Sequence, residues 1–235
     1  MPRKFETFEA LPQEPPFSPA LMQELGLRGI NCGSGRRLFG GCVNTDRMHL
    51  KAWDGTETEP GRIMLVEKKH YYLELDSRDS YPFEDESFAW AYAEHFVEHL
   101  ELEQVIGWLR DVRRLVKPGG HVRLSTPDLR LYVDAYLDPE QRFFTEHAER
   151  LAGMRAFQER EVPARPAGML NHIFYGWQHR WIFDFAELSY AAEQAGFDPA
   201  GITRRSFRES AVPEMAELDI ESRAIESLYV ELTRT

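Results

Sequence analysis

The chain has 235 residues, of which 28 are lysine or arginine and 39 are aspartate or glutamate, so its net charge is −11 at pH 7. A negative surplus of this size repels a phosphate backbone and argues against nucleic acid as a partner. Hydrophobic residues make up 43% and charged residues 29%, a composition typical of globular proteins. No apolar run approaches the roughly 20 residues of a membrane-spanning helix.

The length fits one α/β domain, and we expect residues 1–235 to form a single domain. The stretch Met1–Glu6 lacks the apolar core of a secretory signal. The cysteines, Cys32 and Cys42, form no metal-like pair, which is typical of a reducing compartment. We therefore expect a cytoplasmic protein.

Residues 1–29 carry prolines and scattered aromatic residues, and we interpret them as an N-terminal arm or lid. The stretch Ile30–Gly35 begins with an apolar residue and contains two glycines, and Asp46 follows shortly after it. In a nucleotide-binding βαβ unit such glycines let a ligand approach the backbone, and the acid binds ribose hydroxyls. A plain turn remains the alternative, because the eight residues between Gly35 and Asn44 are too few for a crossover helix.

Residues 47–70 contain two glycine turns around an apolar stretch at 63–66, so we expect an irregular excursion with a strand or a short helix. Residues 71–76 have the pattern of a strand that ends in an acid. Residues 88–93 have the pattern of a buried strand.

Apolar residues recur at three- and four-residue spacing from Phe96 to Val116, which predicts the clearest helix of the chain. Lys117–Gly120 ends this helix, because proline cannot continue it and glycine accepts the left-handed exit. A strand is predicted at 121–126. This order of elements indicates an α/β fold with a doubly wound, mostly parallel, Rossmann-like sheet, which binds ligands at the carboxyl ends of its strands.

Residues 128–160 carry helical apolar faces, and Pro163, Pro166 and Gly168 predict a break over 161–171. An aromatic and polar block follows at 171–184. We expect 128–183 to be a substrate-binding or lid insertion.

Residues 184–235 are expected to complete the sheet. Asp184 and Glu187 predict the capped start of a helix that Gly196 closes. Strands predicted at 202–207 and 228–232 would form an antiparallel edge.

Five pieces of the sequence, in this order, resemble class I S-adenosylmethionine-dependent methyltransferases of the small-molecule type with a shortened glycine loop. They are Asn31–Gly35, Val43–Asp46, Leu75–Asp76 with Tyr81–Phe88, Glu94–Leu100 and Leu115–Gly120. The resemblance implies a cofactor-binding core over 30–127 and S-adenosylmethionine as the cofactor. Arg36 and Arg37 depart from fuller members, which carry another glycine and a helix there.

The resemblance also implies cofactor-binding roles for seven residues. Gly33 and Gly35 would approach the amino-acid end of the cofactor, Asp46 would accept both ribose hydroxyls, and Asp76 would accept the adenine amino group. Leu75 would flank the adenine ring, and the set is completed by Asn31 and Glu94. Each has a structural alternative: the glycines as a turn, the carboxylates as caps or loop acids, and Leu75 as a core residue.

Histidine is the natural base for methyl transfer to a hydroxyl, because its pKa near 6.5 leaves it largely neutral at cytoplasmic pH. The predicted catalytic candidates are His95, just after the fourth strand, and His172 and His179 in the late polar block. His99 is less favoured, since we expect it one turn along a helix. No metal is expected, because these histidines with Asp128 and Glu94 lack the spacing of a ligand set.

The expected activity is methyl transfer to a hydroxyl or amine of a small metabolite, of the sugar or natural-product type. The alternative is a protein that binds the cofactor in a regulatory or non-methylating role, since a fold does not fix a function. The expected partner is a small-molecule acceptor rather than nucleic acid or a membrane, and a homodimer is left open.

Overall fold

The computed structural model describes residues 5–140, 142–153 and 165–235, and the described chain is built on a nine-stranded sheet. The strands are β1 (Phe8–Ala10), β2 (Gly29–Cys32), β3 (Cys42–Asp46), β4 (Ile63–Val66), β5 (His70–Glu74), β6 (Phe88–Glu94), β7 (Val116–Pro127), β8 (Ile202–Arg205) and β9 (Ser227–Thr233). The helices are α1 (Pro19–Glu24), α2 (Leu102–Leu115), α3 (Leu129–Leu137), α4 (Arg142–Gly153), α5 (Pro166–Tyr175), α6 (Phe185–Gln194) and α7 (Pro213–Ala216). None of the helices in the described ranges is long and apolar enough to cross a membrane.

The strands lie in the order β1-β4-β5-β3-β2-β6-β7-β9-β8. The inner strands β5, β3, β2, β6 and β7 pair in parallel, and β9 runs antiparallel between β7 and β8. The chain moves outward from β2 through β3 to β5 and then returns to β6 on the other side of β2. The predicted doubly wound sheet with an antiparallel C-terminal edge is confirmed, and its strand order reverses between β2 and β6, where such sheets open a ligand crevice.

One face of the sheet is covered by helices. The apolar side of α2, including Val105, Leu109 and Val112, packs with α1 and α6 into the largest hydrophobic cluster. Gly196 has φ of 96°, so it ends α6 in the left-handed conformation that the sequence predicts.

On the opposite face, a short loop rather than a helix connects β2 to β3 in the described chain. Leu38 from this loop packs with Phe5 and Phe8 of the arm and with Leu50 and Tyr72. The arm also adds β1 to β4 in antiparallel register. The arm and the 47–70 excursion therefore bury the surface that a crossover helix would otherwise protect.

Two helix boundaries differ from the prediction. Helix α2 begins at Leu102 rather than near Phe96, because Glu101 and Gln104 form a capping box and Val97–His99 is a separate 3-10 turn. Helix α5 begins at Pro166, where the sequence predicts a break. Proline is compatible with the first turn of a helix, since its missing N–H needs no partner there.

Helices α3, α4 and α5 form a separate layer within 128–183. Tyr132, Phe144, Leu151 and Ile173 belong to its own hydrophobic cluster. The predicted helical stretch after Gly153 and the predicted break before Arg165 lie outside the described residues.

A buried ion pair ties the segment after β8 to the sheet. Arg123 and Asp219 are both without solvent exposure, and Nη2 of Arg123 lies 2.5 Å from Oδ2 of Asp219. Arg123 also donates to the carbonyl oxygens of Ser206 and Glu209. The guanidinium therefore satisfies a buried carboxylate and two backbone carbonyls at once.

We expect Arg123→Met to lower the free energy of unfolding by about 3–5 kcal/mol, because Asp219 would be left as an uncompensated buried charge. Urea denaturation measures the loss. Arg28→Met is the matched control, since Arg28 pairs with Glu214 at 65% side-chain exposure, and an exposed pair contributes about 1 kcal/mol or less. Equal losses in the two variants would contradict this account.

Candidate functional site

One cleft, of about 520 Å³, lies at the carboxyl ends of the strands where the order reverses, and we call it the main cleft because it holds predicted site residues. Four predicted site residues line it: Gly33, Asp46, Asp76 and His95. A smaller cavity of about 180 Å³ adjoins it and is lined by the predicted residues Asn31, Gly33, Gly35, Glu94 and His95. The fold thus brings these residues together from β2, β3, β6 and the turn after β5. Leu75 differs, since it packs against the main hydrophobic cluster.

The glycine turn after β2 fixes the carboxylate of Asp46. Gly33 and Gly35 have φ of 69° and 55°, the left-handed region that glycine adopts without strain. This turn aims the N–H of Gly35 at Oδ2 of Asp46, 2.8 Å away, and the N–H of Met48 donates to Oδ1 at 2.9 Å. Asn31 instead donates from its amide to Asn44, 3.0 Å away, beneath the turn.

Asp76 is held by the turn that follows β5. Arg78 donates to it from its backbone N–H at 3.0 Å and from its guanidinium. These bonds lower the pKa of Asp76 to about 2. The carboxylate is therefore ionised throughout the physiological range and can accept hydrogen bonds from a ligand in the cleft.

Glu94, the last residue of β6, joins three parts of the chain. It accepts from the N–H of Ile220 at 2.7 Å and from Arg37 at 3.2 Å. Burial raises its pKa above the ordinary value. Its position at the smaller cavity is therefore set by segments far away in the sequence.

The second cavity, which we call the histidine chamber, has a volume of about 340 Å³ and shares His95, His99 and Trp177 with the main cleft. It brings together the three predicted catalytic candidates, the less favoured candidate His99 and five further ionisable groups that the sequence did not assign to it. These are His95, His172 and His179, with Glu98, His99, Tyr132, His147, Arg223 and Glu226. No spacing in the sequence signals this set, because its members come from the turn after β6, from α3, α4 and α5, from the loop after α5 and from the segment before β9.

The backbone and side chain of His95 are both tightly defined. Its φ is 47°, and its N–H donates to the carbonyl of Ser125 at 2.8 Å. Nε2 lies 2.6 Å from the hydroxyl of Ser227, which itself donates to the carbonyl of Arg223. The hydroxyl must therefore accept from Nε2–H, which leaves Nδ1 as the proton-accepting atom. Burial lowers the pKa of His95 well below its ordinary value, so the ring is neutral.

Two other histidines of the chamber, His147 and His179, also carry perturbed pKa values. Nδ1 of His179 lies 2.5 Å from the carbonyl of Ile173, so it donates, and Nε2 is left as the acceptor. Nε2 of His147 lies 2.9 Å from the hydroxyl of Tyr132. Burial lowers the pKa of both histidines to about 4. The chamber thus offers neutral imidazoles at neutral pH.

Glu98 is the fully buried carboxylate of the chamber. Thr126 donates to its Oε2 at 3.1 Å, whereas Oε1 lies 3.5 Å from Nδ1 of His95 and has no hydrogen bond within the described residues. Burial raises the pKa of Glu98 to about 8. Its backbone carbonyl accepts the N–H groups of Arg180 and Trp181 at 2.7 and 3.2 Å.

A family model described as a methyltransferase domain matches residues 22–200, which include the glycine turn, Asp46 at the end of β3, Asp76 after β5, and His95. The chain belongs to this methyltransferase family. The methyltransferase uses S-adenosylmethionine as its cofactor. The main cleft fits such a ligand, since it presents two carboxylates and a left-handed glycine turn in a volume typical of cofactor sites. No curated protein matches the sequence.

Several solved structures are similar to the methyltransferase at low identity. One is an S-adenosylmethionine-dependent methyltransferase from Thermotoga maritima, titled a possible histamine N-methyltransferase, with 16% identity over 88% of this chain and 82% of that chain and a TM-score of 0.45. Another, from Archaeoglobus fulgidus, has 14% identity over 92% of each chain and a TM-score of 0.45. A third, from Mesorhizobium loti, has 20% identity over 92% of this chain and 96% of that chain and a TM-score of 0.45. Similarity at this level supports no argument about the acceptor.

The two glycines of the turn are expected to respond differently to substitution. A Cβ on Gly33 would lie 2.5 Å from Cδ2 of Phe96, whereas nothing lies within 4 Å of a Cβ on Gly35. Both positions carry the left-handed strain, roughly 1–2 kcal/mol, but only Gly33→Ala must also displace a ring, which adds about 1–3 kcal/mol. We expect urea denaturation to give a larger loss for Gly33→Ala than for Gly35→Ala, and the reverse order would contradict this geometry.

Proposed function

We propose that the methyltransferase transfers the methyl group of S-adenosylmethionine to a hydroxyl or amine of a small metabolite bound in the histidine chamber. The observation that carries this proposal is the connection between the cavities, because the chamber shares His95, His99 and Trp177 with the main cleft. A cofactor in the cleft and an acceptor in the chamber would meet at His95.

The size and lining of the chamber support a small acceptor. A volume of about 340 Å³ lies at the low end for small-molecule sites. Tyr132 and Trp177 offer ring surfaces, while Arg223 and Glu226 offer charged groups, which together suit a sugar or a natural product with several polar groups. The net charge of −11 supports a metabolite over nucleic acid. The free, buried thiols of Cys32 and Cys42 support the cytoplasm as the location.

The cofactor is proposed to extend along the strand ends. Asp76 would accept from the adenine amino group, Asp46 would accept from the ribose hydroxyls, and Gly33 and Gly35 would approach the methionine end. Asn31 and Glu94 are proposed to support the smaller cavity at that end. His95 borders the main cleft, the smaller cavity and the chamber, which supports a position for the transferable methyl beside this residue. Leu75 remains a proposed neighbour of the adenine ring.

The proposed reaction is an in-line displacement. Nδ1 of His95 takes the proton of an acceptor hydroxyl as the oxygen attacks the methyl carbon, and the electron pair of the breaking C–S bond stays on sulfur. The products are the methylated acceptor, S-adenosylhomocysteine and a proton on His95. His172 and His179 are proposed to orient the acceptor and are the next candidates for the base.

Formation of S-adenosylhomocysteine tests the proposed activity directly. The purified protein is incubated with S-adenosylmethionine and a panel of sugars, phenols and small amines, and the product is quantified by mass spectrometry. We expect at least one acceptor to give turnover above the acceptor-free control. Cofactor binding without product for any acceptor would favour the regulatory or non-methylating alternative.

Asp46→Asn is expected to weaken S-adenosylhomocysteine binding about tenfold to over a hundredfold. The substitution removes charge-assisted hydrogen bonds to ribose, each worth roughly 1.5–3 kcal/mol. Calorimetry measures the affinity, and Asp79→Asn is the control, because Asp79 is exposed in the turn after β5 and does not line the main cleft. Unchanged affinity in Asp46→Asn would remove Asp46 from the proposed site.

His95→Asn is expected to lower kcat by roughly a hundredfold or more, since general base catalysis contributes typically 10² to 10⁴. Asparagine is chosen because it tolerates the left-handed backbone at this position, where φ is 47°. Steady-state turnover and calorimetry are measured together, and cofactor affinity should remain near wild type. His121→Asn is the control, because His121 lies near the amino end of the parallel part of β7. Near-normal kcat in His95→Asn would exclude this base and direct the same test to His172 and His179.

A further inference from the structure

We propose that Glu98, His99 and His179 bind a divalent transition-metal ion in the histidine chamber. This departs from the sequence expectation of no metal, because Glu98 and His99 are adjacent while His179 follows 80 residues later. The role of the ion rests on the proposed function, since it would bind the acceptor atom that receives the methyl group. The binding itself does not depend on that function.

The three side chains supply a recognisable donor set. One ligand atom from each residue lies within 4.8 Å of the other two. Two imidazole nitrogens and one carboxylate oxygen suit Zn²⁺ or Fe²⁺ and leave a coordination position open for water or substrate. Zinc bonds of about 2.0–2.2 Å place ligand atoms roughly 3–4 Å apart, so the side chains would need to close by about 1 Å around the ion.

His179 is prepared as a ligand by its backbone contact. Its Nδ1–H donates to the carbonyl of Ile173 at 2.5 Å, which fixes the ring and leaves Nε2 with a free lone pair. Histidines that bind metals usually donate their other ring N–H to a carbonyl or carboxylate in this way. The ring of His99 lies beside it, with the two ring centroids 5.0 Å apart.

Glu98 provides the second, independent observation. The residue is 0% exposed, Thr126 holds its Oε2, and within the described residues its Oε1 has no hydrogen-bond partner although it borders the chamber. A buried carboxylate oxygen without a partner is costly. A cation in the chamber would satisfy this atom directly.

The fold holds both parts of the ligand set in place. Glu98 and His99 lie on the 3-10 turn that follows β6, and His179 lies in the loop after α5. The carbonyl of Glu98 accepts the N–H groups of Arg180 and Trp181, the two residues that follow His179. Backbone hydrogen bonds therefore set the approach of the loop to the turn, and they leave Oε1 of Glu98 and Nε2 of His179 available.

The open position gives the ion a chemical role. An acceptor hydroxyl bound there would lose its proton more readily, because a divalent ion lowers the pKa of a coordinated hydroxyl. The proton would pass to Nδ1 of His95, the acceptor oxygen would form a bond to the methyl carbon, and the C–S electron pair would return to sulfur. No oxidant or reductant is needed.

The test measures metal binding apart from catalysis. A tag-free chain is treated with EDTA, dialysed and titrated with Zn²⁺ by calorimetry, and Co²⁺ absorption reports the coordination geometry. We expect one Zn²⁺ per chain in the wild type and at least a tenfold loss of affinity in Glu98→Gln, His99→Asn and His179→Asn. His147→Asn is the matched control, because His147 lines the same chamber but is not among the three ligands, and it should retain Zn²⁺ affinity.

Thermal melting and S-adenosylhomocysteine calorimetry of each variant separate misfolding from ligand loss. Zn²⁺ binding that persists in all three ligand variants, or that falls equally in His147→Asn, would overturn the assignment. A wild type that binds S-adenosylhomocysteine but not Zn²⁺ would overturn the metal site and leave the proposed methyl transfer standing. A wild type that binds Zn²⁺ through these residues but forms no methylated product would support the site and count against the proposed function.

Discussion

Two hydrogen bonds to the carbonyl of Glu98 connect the sheet to the layer that closes the histidine chamber. They come from the N–H groups of Arg180 and Trp181, and they bring the loop after α5 onto the turn after β6. Together with the bond from Nδ1 of His179 to the carbonyl of Ile173, they set the position of His179 relative to His95 and His99. The side chain of Glu98 lines the chamber while its backbone anchors the loop, so one residue contributes to both the wall of the chamber and the architecture that closes it.

The short connection between β2 and β3 explains several features that look unrelated in the sequence. Because no helix forms there within the described chain, Phe5 and Phe8 of the arm and Leu50 of the excursion must cover that face of the sheet. The same short loop brings the N–H of Gly35 to 2.8 Å from the carboxylate of Asp46. The arm is therefore needed to bury apolar surface, whatever further role it has as a lid.

The sequence predicts the sheet well because strand ends carry strong local signals. Glycines after β2, an acid at the end of β3, another after β5 and Pro118 after α2 are signals of this kind. The start of β7 differs, since the strand begins at Val116 rather than at the predicted His121. The chamber has no such signal: His147 looks like any residue on an amphipathic helix, and only the packing of α4 on α3 brings it to the hydroxyl of Tyr132. The predicted start of α2 is wrong because apolar spacing continues through Phe96 and Val97, while the capping box at Glu101 decides where the helix begins.

The neutral histidines of the chamber suit the movement of positive charge that accompanies methyl transfer from a sulfonium. The cofactor brings a positive charge, and after transfer to a neutral hydroxyl that charge must leave as a proton. Burial keeps His95, His147 and His179 neutral, so the rings do not repel the sulfonium and can accept hydrogen bonds. Interactions between charges are stronger in such a poorly solvated site than in water. In the proposed arrangement, a neutral acceptor atom beside the methyl group would therefore both tolerate the cofactor and provide a path for the proton that the reaction releases.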